Sequence, residues 1–167
     1  LAVGRQYGVA HAIVMPTRGL YNAGAIAEEH DLLARVCARS SGAMLPFGTA
    51  CLGEPREAVA EVRRCLGELK FRGVKFHPWL QGCSVSDPTM DEIAELAAEF
   101  DVPLIFHDGT PPFSLPSQMA LLALRHPRTQ VVLGHSGLFE HYREAAAAVH
   151  AAENVWTCLC GPHVEGL

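Results

Sequence analysis

An α/β fold of the (β/α) TIM-barrel type, with parallel strands, is what this sequence predicts, and three observations carry the prediction. Short apolar runs alternate with amphipathic stretches along the whole 167-residue chain, which is the signature of parallel strands joined by helical crossovers. The strand-helix unit recurs about every 25 to 30 residues, close to the spacing of an eight-unit barrel of roughly 250 residues. No linker, low-complexity segment or shift in composition breaks the pattern, so residues 1–167 read as one partial barrel domain.

The elements follow in order. Residues 9–15 (VAHAIVM) are a mostly apolar run stopped by Pro16, suited to a strand buried on both faces. Residues 25–39 place Ile26, Leu32, Leu33 and Val36 among charges, a helical stripe. Residues 44–49 (MLPFGT) form a short second strand. Pro55 opens a helix to about Leu69, where its missing N–H costs nothing. Residues 73–77 (GVKFH) are the third strand, and Asp87-Pro88 starts a helix ending at Phe100. Residues 104–107 (LIFH) are the fourth strand, 116–125 a helix, 130–135 (QVVLGH) the fifth strand, 142–152 an alanine-rich helix and 155–159 (VWTCL) the sixth strand. Six strands are short of the eight a closed barrel needs. An open doubly wound sheet is the alternative, although no G-x-G-x-x-G or Walker glycine loop is present. Two unpaired sheet edges predict self-association, a homo-oligomer, or further protein beyond this chain.

Composition narrows the function. Thirteen Lys+Arg against 18 Asp+Glu argue against a nucleic-acid groove, which needs clustered basic charge. No window approaches a membrane span of roughly 20 apolar residues, and no charged n-region with an apolar run opens the chain. The chain reads as a soluble, cytoplasmic protein. Cysteines at 37, 51, 65, 83, 158 and 160 match no zinc-ribbon spacing and read as reduced, mostly buried thiols. Cys158 and Cys160 share one side of a strand, without an evident third metal ligand.

The chemistry concentrates at strand ends. GVKFH, PLIFH and VVLGH finish three consecutive strands with His77, His107 and His135. The C-terminal strand ends of parallel α/β folds form the active face, and neighbouring strands lie about 4.8 Å apart. Imidazole is both the commonest metal ligand and an acid/base near neutral pH. Asp108 follows His107 and either orients a histidine ring or turns the loop. Trp79 and Gln81, after His77, line a pocket or cover the rim. Ser136 and Gly137 read as turn formers. His30, His126, His141 and His150 read as surface residues of helices or helix ends, and His163 lies past the sixth strand on the active face.

The segments GVKFHPWLQG, VPLIFHDGTPP and HPRTQVVLGHSGL resemble the middle of the amidohydrolase-related superfamily, on the branch of mononuclear amidohydrolases, lactonases and non-oxidative decarboxylases. The resemblance implies strands two to seven of that barrel. It implies that His107 is a ligand of a divalent metal, zinc by expectation, and that His135 beside it is an acid/base. His77 faces the same mouth as a second catalytic candidate, and Trp79, Asp108 and His163 are substrate-contact candidates. Lys75 shares the inward face with His77, but His77 holds the rim, against a carboxylated lysine. The family's first-strand H-x-H and its late aspartate ligand have no counterpart in this chain. The implied activity is metal-dependent hydrolysis of a small amide, lactone or ester through metal-activated water. Non-oxidative decarboxylation is the alternative within the superfamily, and a non-catalytic barrel module is the alternative outside it.

Overall fold

The structure, a computed structural model, describes residues 2–20 and 22–161. After helix α1 (Ala2–Gln6) come β1 (Ala12–Val14), a 3-10 turn (Arg18–Leu20), α2 (Ala23–Ala38), β2 (Met44–Pro46), α3 (Pro55–Gly67) and β3 (Val74–Phe76). Then follow α4 (Pro78–Gln81), α5 (Thr89–Glu99), β4 (Leu104–Phe106), α6 (Pro116–Arg125), β5 (Val131–Leu133), α7 (Tyr142–Ala151) and β6 (Val155–Thr157). Every expected strand and helix is present, with strands trimmed at their ends. None of the described helices is long and apolar enough to cross a membrane.

All strand pairs are parallel. β1 pairs with β2, and β3 through β6 pair in chain order. A parallel bridge between Gly48 and Val74 joins the two groups, with Lys75 N–H donating to Gly48 O at 2.8 Å. The strand order follows the chain without reversal. That is the order of a barrel wall, whereas a doubly wound sheet reverses at a switch point.

Alternation along the strands sorts the side chains into two faces. Val74, Phe76, Leu104, Phe106, Val131 and Leu133 are fully buried and pack with Met90, Ile93, Met119 and Leu122 of the covering helices. Each fully buried side chain of this size contributes about 1.5–3 kcal/mol, so this layer is the principal source of stability. The opposite face carries Lys75, Ile105 and Val132 in one row, and Ile13 and Trp156 on the outermost strands are exposed.

The helix starts follow local chemistry. Asp87 accepts the Thr89 N–H at 2.9 Å, so α5 begins just after Pro88. Gln118 reaches back to the Leu115 N–H at 2.8 Å, closing the first turn of α6.

Two surface expectations are corrected. His30 is fully buried: its Nδ1 meets Glu61 Oε1 at 2.6 Å and its Nε2 accepts the Thr49 N–H at 3.1 Å. A helical pattern cannot reveal a partner from a neighbouring helix, and here α3 supplies it. His126 is largely buried and bonds Asp91 at 2.7 Å. His150 is exposed, as expected, and His141 is half-buried against Glu144. All six cysteines are free; Cys37 and Cys65 are buried, whereas Cys158 and Cys160 are exposed.

Candidate metal and acid/base site

The parallel register places the site. Phe76 pairs with Phe106, so the next residues, His77 and His107, stand side by side where β3 and β4 end. Their rings stack at 3.8 Å between centroids, 12° from parallel. His135 arrives differently. Phe106 pairs with Leu133, which puts Gly134 in the row of His107 and leaves His135 one residue farther on. The loop brings it back: Ser136, Gly137 and Leu138 all take positive φ, and the His135 ring meets His107 edge-on at 4.5 Å. The three imidazoles thus share one rim at the C-terminal ends of the strands.

Asp108 holds that loop. It has no exposed surface, and its two oxygens accept the His135 N–H at 2.6 Å and the Gly137 N–H. It acts on the backbone of His135 rather than on a ring nitrogen, and in this position it holds the turn. Gly109 and Gly137 press together, since a Cβ on Gly109 would lie 2.6 Å from Gly137 O. The Ser136 hydroxyl ties the same loop to Thr157 and to Cys158 O.

Gln81 performs the matching task for His77. Its Oε1 accepts the His77 N–H at 2.7 Å, and its amide donates to Ala50 O at 2.8 Å and to Thr49 Oγ1 at 3.3 Å. That link to the β2 loop depends on α4, which the sequence reading leaves as loop. Trp79 on α4 is exposed, its ring 6.3 Å from that of His77. The Cys160 thiol donates to Gly134 O at 3.0 Å and lies 3.5 Å from His135 Nδ1. His163 lies outside the described residues.

The rim favours uncharged imidazoles. Burial, then the nearby His77, His135 and Lys75, pushes His107 down to about 4. Burial and Lys75 lower His77 and His135 as well. Lys75 rises from the inward face of β3 beneath them, and burial brings it down to about 8 against the opposing pull of Asp108, Cys158 and Cys160. Neutral rings keep their lone pairs at neutral pH, as ligands and bases must.

Those lone pairs fit a metal as nitrogen donors, with His107 central because it touches both neighbours. The trio does not by itself close around an ion. Among the described residues, three potential ligands converge within 4.8 Å only at His30, Glu61 and Cys65. That buried cluster is structural: the Thr49 N–H occupies His30 Nε2, so Nδ1 carries the proton and donates to Glu61, and Arg64 holds both Glu61 oxygens at 2.8 and 2.9 Å.

The family profile described as amidohydrolase matches residues 2–165. A gamma-resorcylate decarboxylase of Rhizobium radiobacter is 26% identical, covering 65% of this chain and 43% of the relative. The chain therefore spans less than half the length of that curated relative. Among solved structures, 2,6-dihydroxybenzoate decarboxylase from Rhizobium is similar, with a TM-score of 0.63 at 20% identity, over 81% of this chain and 55% of that one. 5-Carboxyvanillate decarboxylase from Sphingomonas paucimobilis gives 0.64 at 20% over 81% and 50%. A TIM-barrel protein from Bordetella bronchiseptica gives 0.73 at 15% over 93% and 57%. A dihydroxybenzoic acid decarboxylase from Polaromonas, of similar fold with a TM-score of 0.52 at 19% identity over 77% and 48%, was solved with bound manganese.

Proposed function

Because the chain belongs to the amidohydrolase family, we propose that it forms the imidazole-bearing wall, one partial barrel domain, of a metal-dependent decarboxylase. Its substrate is a small aromatic acid with a hydroxyl next to the carboxylate. The contact of the His107 ring with those of both His77 and His135 at one rim carries this reading. The sequence favours hydrolysis with decarboxylation as the alternative; the curated relatives, both gamma-resorcylate decarboxylases, favour the alternative.

His107 supplies a nitrogen ligand to a divalent ion, with His135 next to it. When bound, that ion would supply electrostatic stabilisation of developing negative charge. Neutral imidazole suits zinc, whereas manganese is the ion named for relatives; metal analysis decides between them. His135 takes the hydroxyl proton of the substrate and returns it to the ring carbon that bears the carboxylate. The carbon–carbon bond then breaks, its electron pair restores the aromatic ring as a phenolate, carbon dioxide leaves, and the phenolate takes a proton from water. Proton transfer of this kind contributes typically 10² to 10⁴ in rate. His77 stacks on His107 and fixes its ring plane, and Trp79 and His163 are proposed substrate contacts. The exposed outermost strands support assembly into a homo-oligomer.

The test is turnover of 2,6-dihydroxybenzoate to resorcinol by the chain supplied with manganese or zinc, alongside bound metal measured by plasma mass spectrometry. Turnover and metal are both expected to be lost in His107→Ala, and turnover alone in His135→Ala. Cleavage of a lactone or ester with no action on the acid would restore hydrolysis. A folded chain that neither binds metal nor turns over any of these would make the barrel a non-catalytic module.

A further inference from the structure

We propose that Lys75 Nζ is the seat for an organic carboxylate, gripping the anionic end of the ligand from beneath the three imidazoles. This deepens the function proposed above and rests on its substrate class.

Lys75 points to the inward face of β3, two residues before His77. Its neighbours in the row are apolar, Ile105 and Val132. One row higher, beside His107, stands Gly134. An added Cβ there would fall 3.2 Å from Lys75 Nζ and 2.5 Å from Phe106 O. The missing side chain is what lets the amine reach the level of the rim.

The amine has no hydrogen-bond or ion-pair partner among the described residues. The groups facing it are the three imidazoles, held neutral; the Cys158 and Cys160 thiols; and Asp108. Both Asp108 oxygens are already engaged by backbone N–H groups. A largely buried ammonium with no hydrogen-bonded counter-ion is costly, and a carboxylate entering the mouth reduces that cost through a charge-assisted hydrogen bond. Although burial lowers Lys75 to about 8, the amine stays mostly protonated at pH 7.

Lys70 and Lys75 are the only two lysines of the chain, and Lys70 is exposed. Reductive methylation with ¹³C-formaldehyde labels both lysine amines, along with the α-amine, and keeps their charge, and Lys70→Arg and Lys75→Arg assign the two lysine signals. Benzoate is expected to shift the Lys75 signal saturably, while Lys70 stays still and the neutral isostere benzamide moves neither. Lys75→Met is expected to weaken benzoate binding about tenfold or more by calorimetry, and Lys75→Arg to retain most of it. A Lys75 signal unmoved by saturating benzoate, or moved equally by benzamide, overturns the proposal; so does undiminished binding by a folded Lys75→Met. If that variant fails to fold, the labelled wild-type chain decides alone. Benzoate on Lys75 without turnover of 2,6-dihydroxybenzoate sinks the decarboxylase reading and leaves the seat. Turnover without a Lys75 shift sinks the seat only.

Discussion

Removing the Asp108 carboxyl tests whether the rim is held by the contacts described. Asp108→Ala leaves the N–H groups of His135 and Gly137 without an acceptor, the second of them in a buried position. An orphaned buried donor costs about 1–3 kcal/mol, so two give a loss near 3 kcal/mol, with the cavity left by the side chain adding to it. Asp108→Asn keeps one acceptor and turns an amide N–H toward the other donor, so roughly half that loss is expected. Urea unfolding followed by circular dichroism measures both, with the slope unchanged if the unfolded state is unaffected. For a chain of this size about 3 kcal/mol corresponds to about 6–12 °C in Tm. The carbon-bound proton resonances of the His135 ring should move in both variants, because the loop that carries it loses its anchor. A loss below about 1 kcal/mol in Asp108→Ala, with the His135 resonances in place, would refute the reasoning.

Two further outcomes follow from other contacts. Burial raises the Glu61 carboxyl, but hydrogen bonds from His30 and Arg64 outweigh it and bring it down to about 2. A group depressed in the folded state stabilises above its ordinary value and loses that contribution as pH falls toward the folded value. Stability should therefore drop by about 2–3 kcal/mol between roughly pH 4.5 and pH 2. Glu61→Gln should flatten that limb of a pH–stability profile; an unchanged limb would place the acid sensitivity elsewhere. Gly134→Ala must displace Phe106 O and also crowds the Lys75 amine, and a destabilisation of about 1–3 kcal/mol is expected, read as a lower Tm; an unchanged Tm would show that the close approach is not there.

Much of the scaffold was legible because its determinants are local. Apolar runs and caps fixed all six strands and the long helices, and the strand-end positions of His77 and His107 followed directly from register. His135 was legible as a candidate but not in its route. Gly134 takes the register position, and three successive positive-φ residues swing the imidazole back. The signal available was the glycine itself: a glycine at the last inward position of an apolar strand marks a close backbone approach. His30 was misread because its burial depends on Glu61 and Thr49, far away in the chain. The sequence leaves two readings open for Asp108, and the turn-holding one describes its contacts, whereas the contacts of Gln81 were not legible. Each sits in a loop-like sequence, yet Asp108 spends its oxygens on the His135 and Gly137 N–H groups after β5, and Gln81 its amide on the His77 N–H after β3 and on Ala50 O after β2, connections that only tertiary structure reveals.

The tight glycine-on-glycine contact between the turns after β4 and β5 has a mechanical consequence. Gly109 has no slack against Gly137, and a Cβ on Gly137 would strike His141 O at 2.2 Å, so neither turn can yield without carrying the other. The segments bearing His107 and His135 are geared together. Whatever docks against one ring displaces or steadies its neighbour in the same movement, and any redesign that lengthens one turn has to recut the other to match.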